Sequence, residues 1–121
     1  MKIVSMDGVP PEAVGGALFP DGAVTRRSVL TRGDSQQLSF TLLTFAPGAK
    51  NAWHTHTGDQ VVLVTRGRAR VGTAQEEHVV TANDVVFFPA GEVHFHAGEG
   101  DEPAAFLSIT VQGTTTDVVD R

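Results

Sequence analysis

Four of the five histidines stand in two pairs, His54-Thr55-His56 and His94-Phe95-His96, each with one residue between its imidazoles. Residues two apart on a strand point to the same face, so each pair presents two imidazoles side by side. Neutral imidazole is the commonest protein ligand for zinc, copper, iron and nickel. Two such pairs on strands that face each other across a barrel converge on one ion. Packing is a poorer account, because four imidazoles turned to one interior leave many ring nitrogens to satisfy. The fifth histidine, His78, lies in Glu76-Glu77-His78 beside two carboxylates and reads as a surface residue. With no cysteine in the chain, thiolate sites, iron–sulfur clusters and cysteine nucleophiles are excluded together. Any metal is held by nitrogen and oxygen.

The elements that must position these side chains are strands. Thirteen glycines and six prolines punctuate short runs of Val, Phe, Thr and Leu, and no segment of helical length carries a sustained i, i+3, i+4 apolar pattern. Strands are expected at about 22–30, 37–45, 51–56, 60–66, 68–73, 76–81, 84–88, 92–96 and 104–112. Strands this short and this closely spaced make an all-β sandwich or barrel. The chain divides into an extended arm over residues 1–20, a barrel domain over 21–113 and a tail over 114–121. The arm, or the strand after it, would pair with the sheet edge of a second copy and give a homodimer.

At 121 residues the chain is one domain, with 40% hydrophobic residues and a formal charge of −5. That charge opposes binding to a phosphate backbone or to anionic lipid, so no nucleic acid and no membrane is expected as a partner. No segment approaches ~20 apolar residues, and the N-terminus lacks signal-peptide character. A cytoplasmic location follows as the expectation.

The order of these residues resembles that of a single-domain cupin, a family of small jelly-roll barrels. Gly48, His54, His56, Gln60 and Gly67 stand where the family's first motif has a glycine, a His-x-His pair, a glutamate and a glycine. Asn83, Pro89, Gly91, His94 and Gly98 follow its second motif, with departures at Asn83 and Gly98 that are read as changes of turn residue. The resemblance covers roughly residues 38–112. It implies one divalent transition metal per chain (manganese, iron, nickel, cobalt, copper or zinc) on His54, His56 and His94, with Gln60 as the fourth ligand. His-x-His with glutamine and a distal histidine is similar to small bacterial manganese hydroxynitrile lyases, and related barrels resemble quercetinase-type dioxygenases. Ser108 stands where the lyase group would carry a further histidine.

Glutamine at position 60 brings an oxygen but no charge, so the bound ion would remain a full dication and favour an anionic ligand. Nor can the amide act as a general base. His96, on the face of His94 but outside the ligand pattern, is the candidate base, or else it only orients bound water. On the last strand Ser108, Thr110 and Gln112 share one face and are expected to line a substrate pocket, with Phe40, Leu42, Val62 and Phe87 as its apolar walls. Arg66, Arg68 and Arg70 alternate outward, as a solvated face or as partners for Glu76 and Glu77. The leading expectation is a metal-dependent enzyme acting on a small organic molecule, a lyase or a dioxygenase. The alternative is a non-catalytic metal-binding module that takes a small anionic metabolite.

Overall fold

Eleven strands and one short 3-10 turn make up the computed structural model, which describes residues 1–121. The strands are β1 (Glu12–Ala13), β2 (Val24–Leu30), β3 (Leu38–Phe45), β4 (His54–His56), β5 (Gln60–Arg66), β6 (Arg68–Gly72), β7 (Glu77–Thr81), β8 (Val85–Phe88), β9 (Phe95–Glu99), β10 (Ala104–Val111) and β11 (Thr116–Val118). A six-stranded sheet runs β1-β2-β3-β10-β5-β8, a second runs β7-β6-β9, and β11 pairs with β4. This is the small all-β barrel that the strand spacing predicts. No helix is long and apolar enough to cross a membrane.

Alternation along the strands selects the core. On β5, Gln60, Val62 and Val64 are buried while Val61 and Leu63 are only half-buried. Val62 and Val64 join Val24, Phe45, Ala49, Val71, Phe88 and Phe106 in one cluster, where the Phe45 and Phe106 rings stack with centroids 5.2 Å apart. Removing each such side chain from water contributes about 1.5–3 kcal/mol.

None of the four apolar walls expected for the pocket lines it. Phe45 and Leu43 face the interior of β3, so Phe40 and Leu42, on the opposite parity, fall on the outer face of the sheet. Phe87 is 56% exposed, because its neighbour Phe88 takes the inward position on β8. Registers connect the outward residues into two apolar rows across four strands. One runs Phe40, Ile109, Val61, Phe87, and the other Leu42, Leu107, Leu63, Val85. A sheet apolar on both faces defeats the rule that apolar means inward. Val62 is interior as expected, but it packs in the core and not in the cavity wall.

Both ends of the chain are more structured than the sequence suggests. The arm lies against its own barrel: β1 pairs with β2, and Val14 and Phe19 pack on the core. Residues 114–121, expected as a tail, contain β11, whose residues Thr116 and Val118 pair with His56 and His54. Their backbone groups complete the ladder that the short β4 lacks on that side.

The turn positions explain the two motif departures differently. Asn83, between β7 and β8, has φ +77°, a left-handed conformation that asparagine tolerates better than most residues. Gly98 is not a turn residue. It lies within β9, where a Cβ would come within 2.6 Å of the Ala46 carbonyl oxygen. On the outside of the β6–β7 hairpin, Arg70 pairs with Glu77 and, at 3.2 Å, with Glu99, while Arg66 and Arg68 are exposed. That stripe is the solvated, ion-paired face expected of it.

Candidate metal centre

The two histidine pairs meet through the backbone. His54 N–H donates to the His94 carbonyl at 3.0 Å and His94 N–H to the His54 carbonyl at 2.9 Å, an isolated antiparallel bridge. Because each pair keeps a period of two, all four imidazoles turn inward together. Ring centroids are 4.3 Å apart for His54 and His94, 4.9 Å for His54 and His56, and 5.2 Å for His56 and His94. One ring nitrogen from each of the three lies within 4.8 Å of the others, an arrangement that could hold a metal ion.

The opposite nitrogens are already spoken for. His54 Nδ1 lies 2.7 Å from the Ala52 carbonyl and His94 Nδ1 2.9 Å from the Glu92 carbonyl. A carbonyl only accepts, so both rings carry their proton on Nδ1 and present a bare Nε2. His56 Nδ1 is 2.8 Å from Thr116 Oγ1, while its Nε2 is buried with no partner. Gln60 closes the group. Its Oε1 lies 3.1 Å from His94 Nε2, and its Nε2 donates to Ser108 Oγ at 2.8 Å. Two bare imidazole nitrogens, a third imidazole nitrogen buried without a partner and an amide oxygen fit a divalent transition metal.

Burial keeps the imidazoles in the form that ligation requires. His54 and His94 are pushed down to about 4, chiefly because the protonated ring loses its hydration. His56 is lowered for the same reason, partly offset by Gln60. His96 is held well below its ordinary value by complete burial, with the other three histidines adding to the effect.

His96 occupies a different position from the other three. Its ring stacks on Phe106 at 5.0 Å, and its backbone is clamped by Asn51, whose Oδ1 accepts from His96 N–H at 2.8 Å. Nδ1 is buried without a partner, yet the residue lines the same cavity as His54, His56 and Gln60. That cavity has a volume of about 450 Å³ and a mostly polar wall. Ser108, Thr110 and Gln112 line it, as their shared parity predicts, together with Ser39 and Thr41 from β3.

Sequence reasoning missed four contributors. Thr116 orients His56 from a segment read as a tail, Asn51 holds His96, Phe88 stacks on His94 at 4.0 Å, and Arg26 enters the wall from β2. Parity with the core residue Val24 could have found Arg26. Nothing local in the sequence marks the others, since their contacts join segments distant along the chain.

The family model for the cupin domain matches residues 41–110, more than half of the chain. The chain is 41% identical over 70 residues to an (R)-mandelonitrile lyase of Granulicella tundricola, covering 55% of this chain and 52% of the lyase. It is 38% identical over 77 residues to germin-like protein 5-1 of Oryza sativa subsp. japonica, covering 59% of this chain and 35% of that protein. The chain thus spans about half of the first relative's length and about a third of the second's. Among solved structures, the polyketide cyclase RemF of Streptomyces resistomycificus superposes with a TM-score of 0.89 over 100% of this chain and 87% of that one, at 19% identity. A cupin-like protein of Thermotoga maritima gives 0.80 over 88% and 83%, at 25% identity.

Proposed function

The chain belongs to the cupin family, and from that premise we propose that it is a divalent-metal enzyme that cleaves or rearranges a small organic substrate by proton transfer. The observation that carries this reading is the fixed orientation of the three imidazoles. Nδ1 of His54 and His94 is tied to carbonyls and Nδ1 of His56 to Thr116, so the opposite ring nitrogens converge beside a cavity large enough for a substrate. When bound, the metal supplies Lewis acidity to a substrate oxygen or anion.

The chain's own residues supply the rest. His54, His56 and His94 hold the ion, and Gln60 adds a neutral oxygen whose position Ser108 fixes. His96 accepts a proton from the substrate, since burial keeps it unprotonated at neutral pH and it lines the cavity. A purely structural site would be closed to substrate, whereas this one borders open space. The identity with an (R)-mandelonitrile lyase favours a lyase over a dioxygenase. The two apolar rows on the outer sheet face support a homodimer built back to back.

Metal analysis of untagged protein tests the first half and should find close to one transition metal per chain. Mandelonitrile cleavage, followed as benzaldehyde release under air and under nitrogen, tests the second. Turnover in both atmospheres that disappears on chelation supports the lyase. Turnover of other substrates only under air would replace it with an oxygenase.

A further inference from the structure

The cavity wall opposite the histidines is built like a subsite. Ser108, whose hydroxyl takes the Gln60 amide, stands opposite Thr41 on β3, and Thr41 stands opposite Ser28 on β2. These hydroxyls form a row across three adjacent strands, all facing the cavity. Two residues from Ser28, on the same face of β2, the row meets the guanidinium of Arg26. Arg26 is fixed by strand pairing on both sides, with Glu12 of β1 and Leu43 of β3. Its one acidic partner is Glu12 at 3.5 Å, and both side chains are open to solvent. Such a screened pair breaks easily in favour of a better oxyanion.

Arg26 follows the parity of the core residue Val24 and lines the cavity while half-exposed, whereas Arg66 and Arg68 lie away from it. A ligand lying along this row meets hydroxyls, with Leu30 and Leu43 as apolar neighbours in the same wall. We propose that the ligand is a small oxygen-rich carboxylate bound at two ends. Its reacting oxygen lies at the histidine cluster, its other oxygens bond along Ser108, Thr41 and Ser28, and its remote carboxylate is received by Arg26. This deepens the metal-enzyme reading and rests on it for the reacting end alone. Guanidinium presents a planar fork that matches a carboxylate, which distinguishes the acid from its amide.

The test compares malate, tartrate and 2-oxoglutarate with analogues whose carboxylate remote from the 2-oxygen is a carboxamide, by titration calorimetry on metal-loaded protein. Wild type should bind the acids about tenfold more tightly than the carboxamides, the size expected for a hydrogen bond to a charged group. R26Q should remove that difference by weakening the acids and leaving the carboxamides within about twofold. R66Q makes the same change of net charge on the outer surface and should leave the preference intact. Equal binding of acid and amide by wild type, equal losses in R26Q and R66Q, or no binding of any of these acids would overturn the subsite. Metal content of the same samples reports separately on the parent reading. Protein without metal that still discriminates through Arg26 keeps the subsite while removing the metal.

Discussion

Oε1 of Gln60 and Nε2 of His94 face each other at 3.1 Å, although His94 already carries its proton on Nδ1 toward the Glu92 carbonyl. Two acceptors at that separation repel, and a cation between them turns the repulsion into attraction. Gln60→Glu supplies the missing negative charge. The variant should hold its metal more tightly in competition with a chelator, because a carboxylate neutralises part of the dication. Without metal it should melt lower than wild type, since residue 60 is only 5% exposed and a buried, unpaired carboxylate costs several kcal/mol. Melting temperatures with and without metal check both signs, and an unchanged metal affinity would place Gln60 outside the coordination sphere.

Thr116 reaches His56 from β11 and fixes its Nδ1. Thr116→Val keeps the backbone pairing of β11 with β4 but removes the hydroxyl. Partners that orient a metal-bound histidine typically account for 10–100-fold in affinity, and about that loss is expected here, with the fold unchanged by circular dichroism. His54→Ala and His94→Ala should lose the metal outright. His96→Asn should retain it and lose most turnover, the residual rate no longer showing the acid limb of the wild-type pH–rate profile.

The histidine pairs were legible because their spacing equals the strand period, and β5 was legible because a glycine or an aspartate turn bounds each end. Pocket walls were less so. Hydrophobicity alone points Phe40 and Leu42 inward, whereas the polar residues Ser39 and Thr41 take that face. The outer face of this sheet carries two apolar rows of its own. Thr116 was lost for another reason: a three-residue strand made by pairing with β4 carries no pattern of its own. What tertiary pairing alone creates, local periodicity does not announce.

Acid should unfold the metal-free protein cooperatively from a higher pH than carboxylate titration alone would give. His54 and His94 lie at about 4 in the folded state against 6.5 when unfolded. Between those values the unfolded chain binds more protons, so stability falls as pH drops from about 6.5 and the loss is complete below about 4. His56 and His96, both lowered by burial, act in the same direction. Urea midpoints measured between pH 7 and 4 on chelated protein should decline steadily, and metal-loaded protein should resist the decline until protons displace the ion. A flat profile for the chelated protein would contradict the burial of these rings in the unligated state.

Phe87 stands at the end of the row Phe40, Ile109, Val61, Phe87, beside Val85 in the second row, and these two are 56% and 64% exposed. Exposed apolar side chains side by side at one sheet edge suit a protein contact, here the proposed homodimer. The face lies opposite the histidine cavity, so an identical copy could cover it without closing the site. A lysine at position 87 would place a charge at the exposed end of such an interface and leave the barrel interior untouched, because Phe88 and not Phe87 packs in the core. Phe87→Lys should therefore convert a dimer to a monomer in sedimentation equilibrium while metal content and melting of the isolated barrel change little. Wild-type protein that sediments as a monomer at micromolar concentration would remove the dimer. A dimer that survives Phe87→Lys would move its interface to the edge formed by the arm and β2.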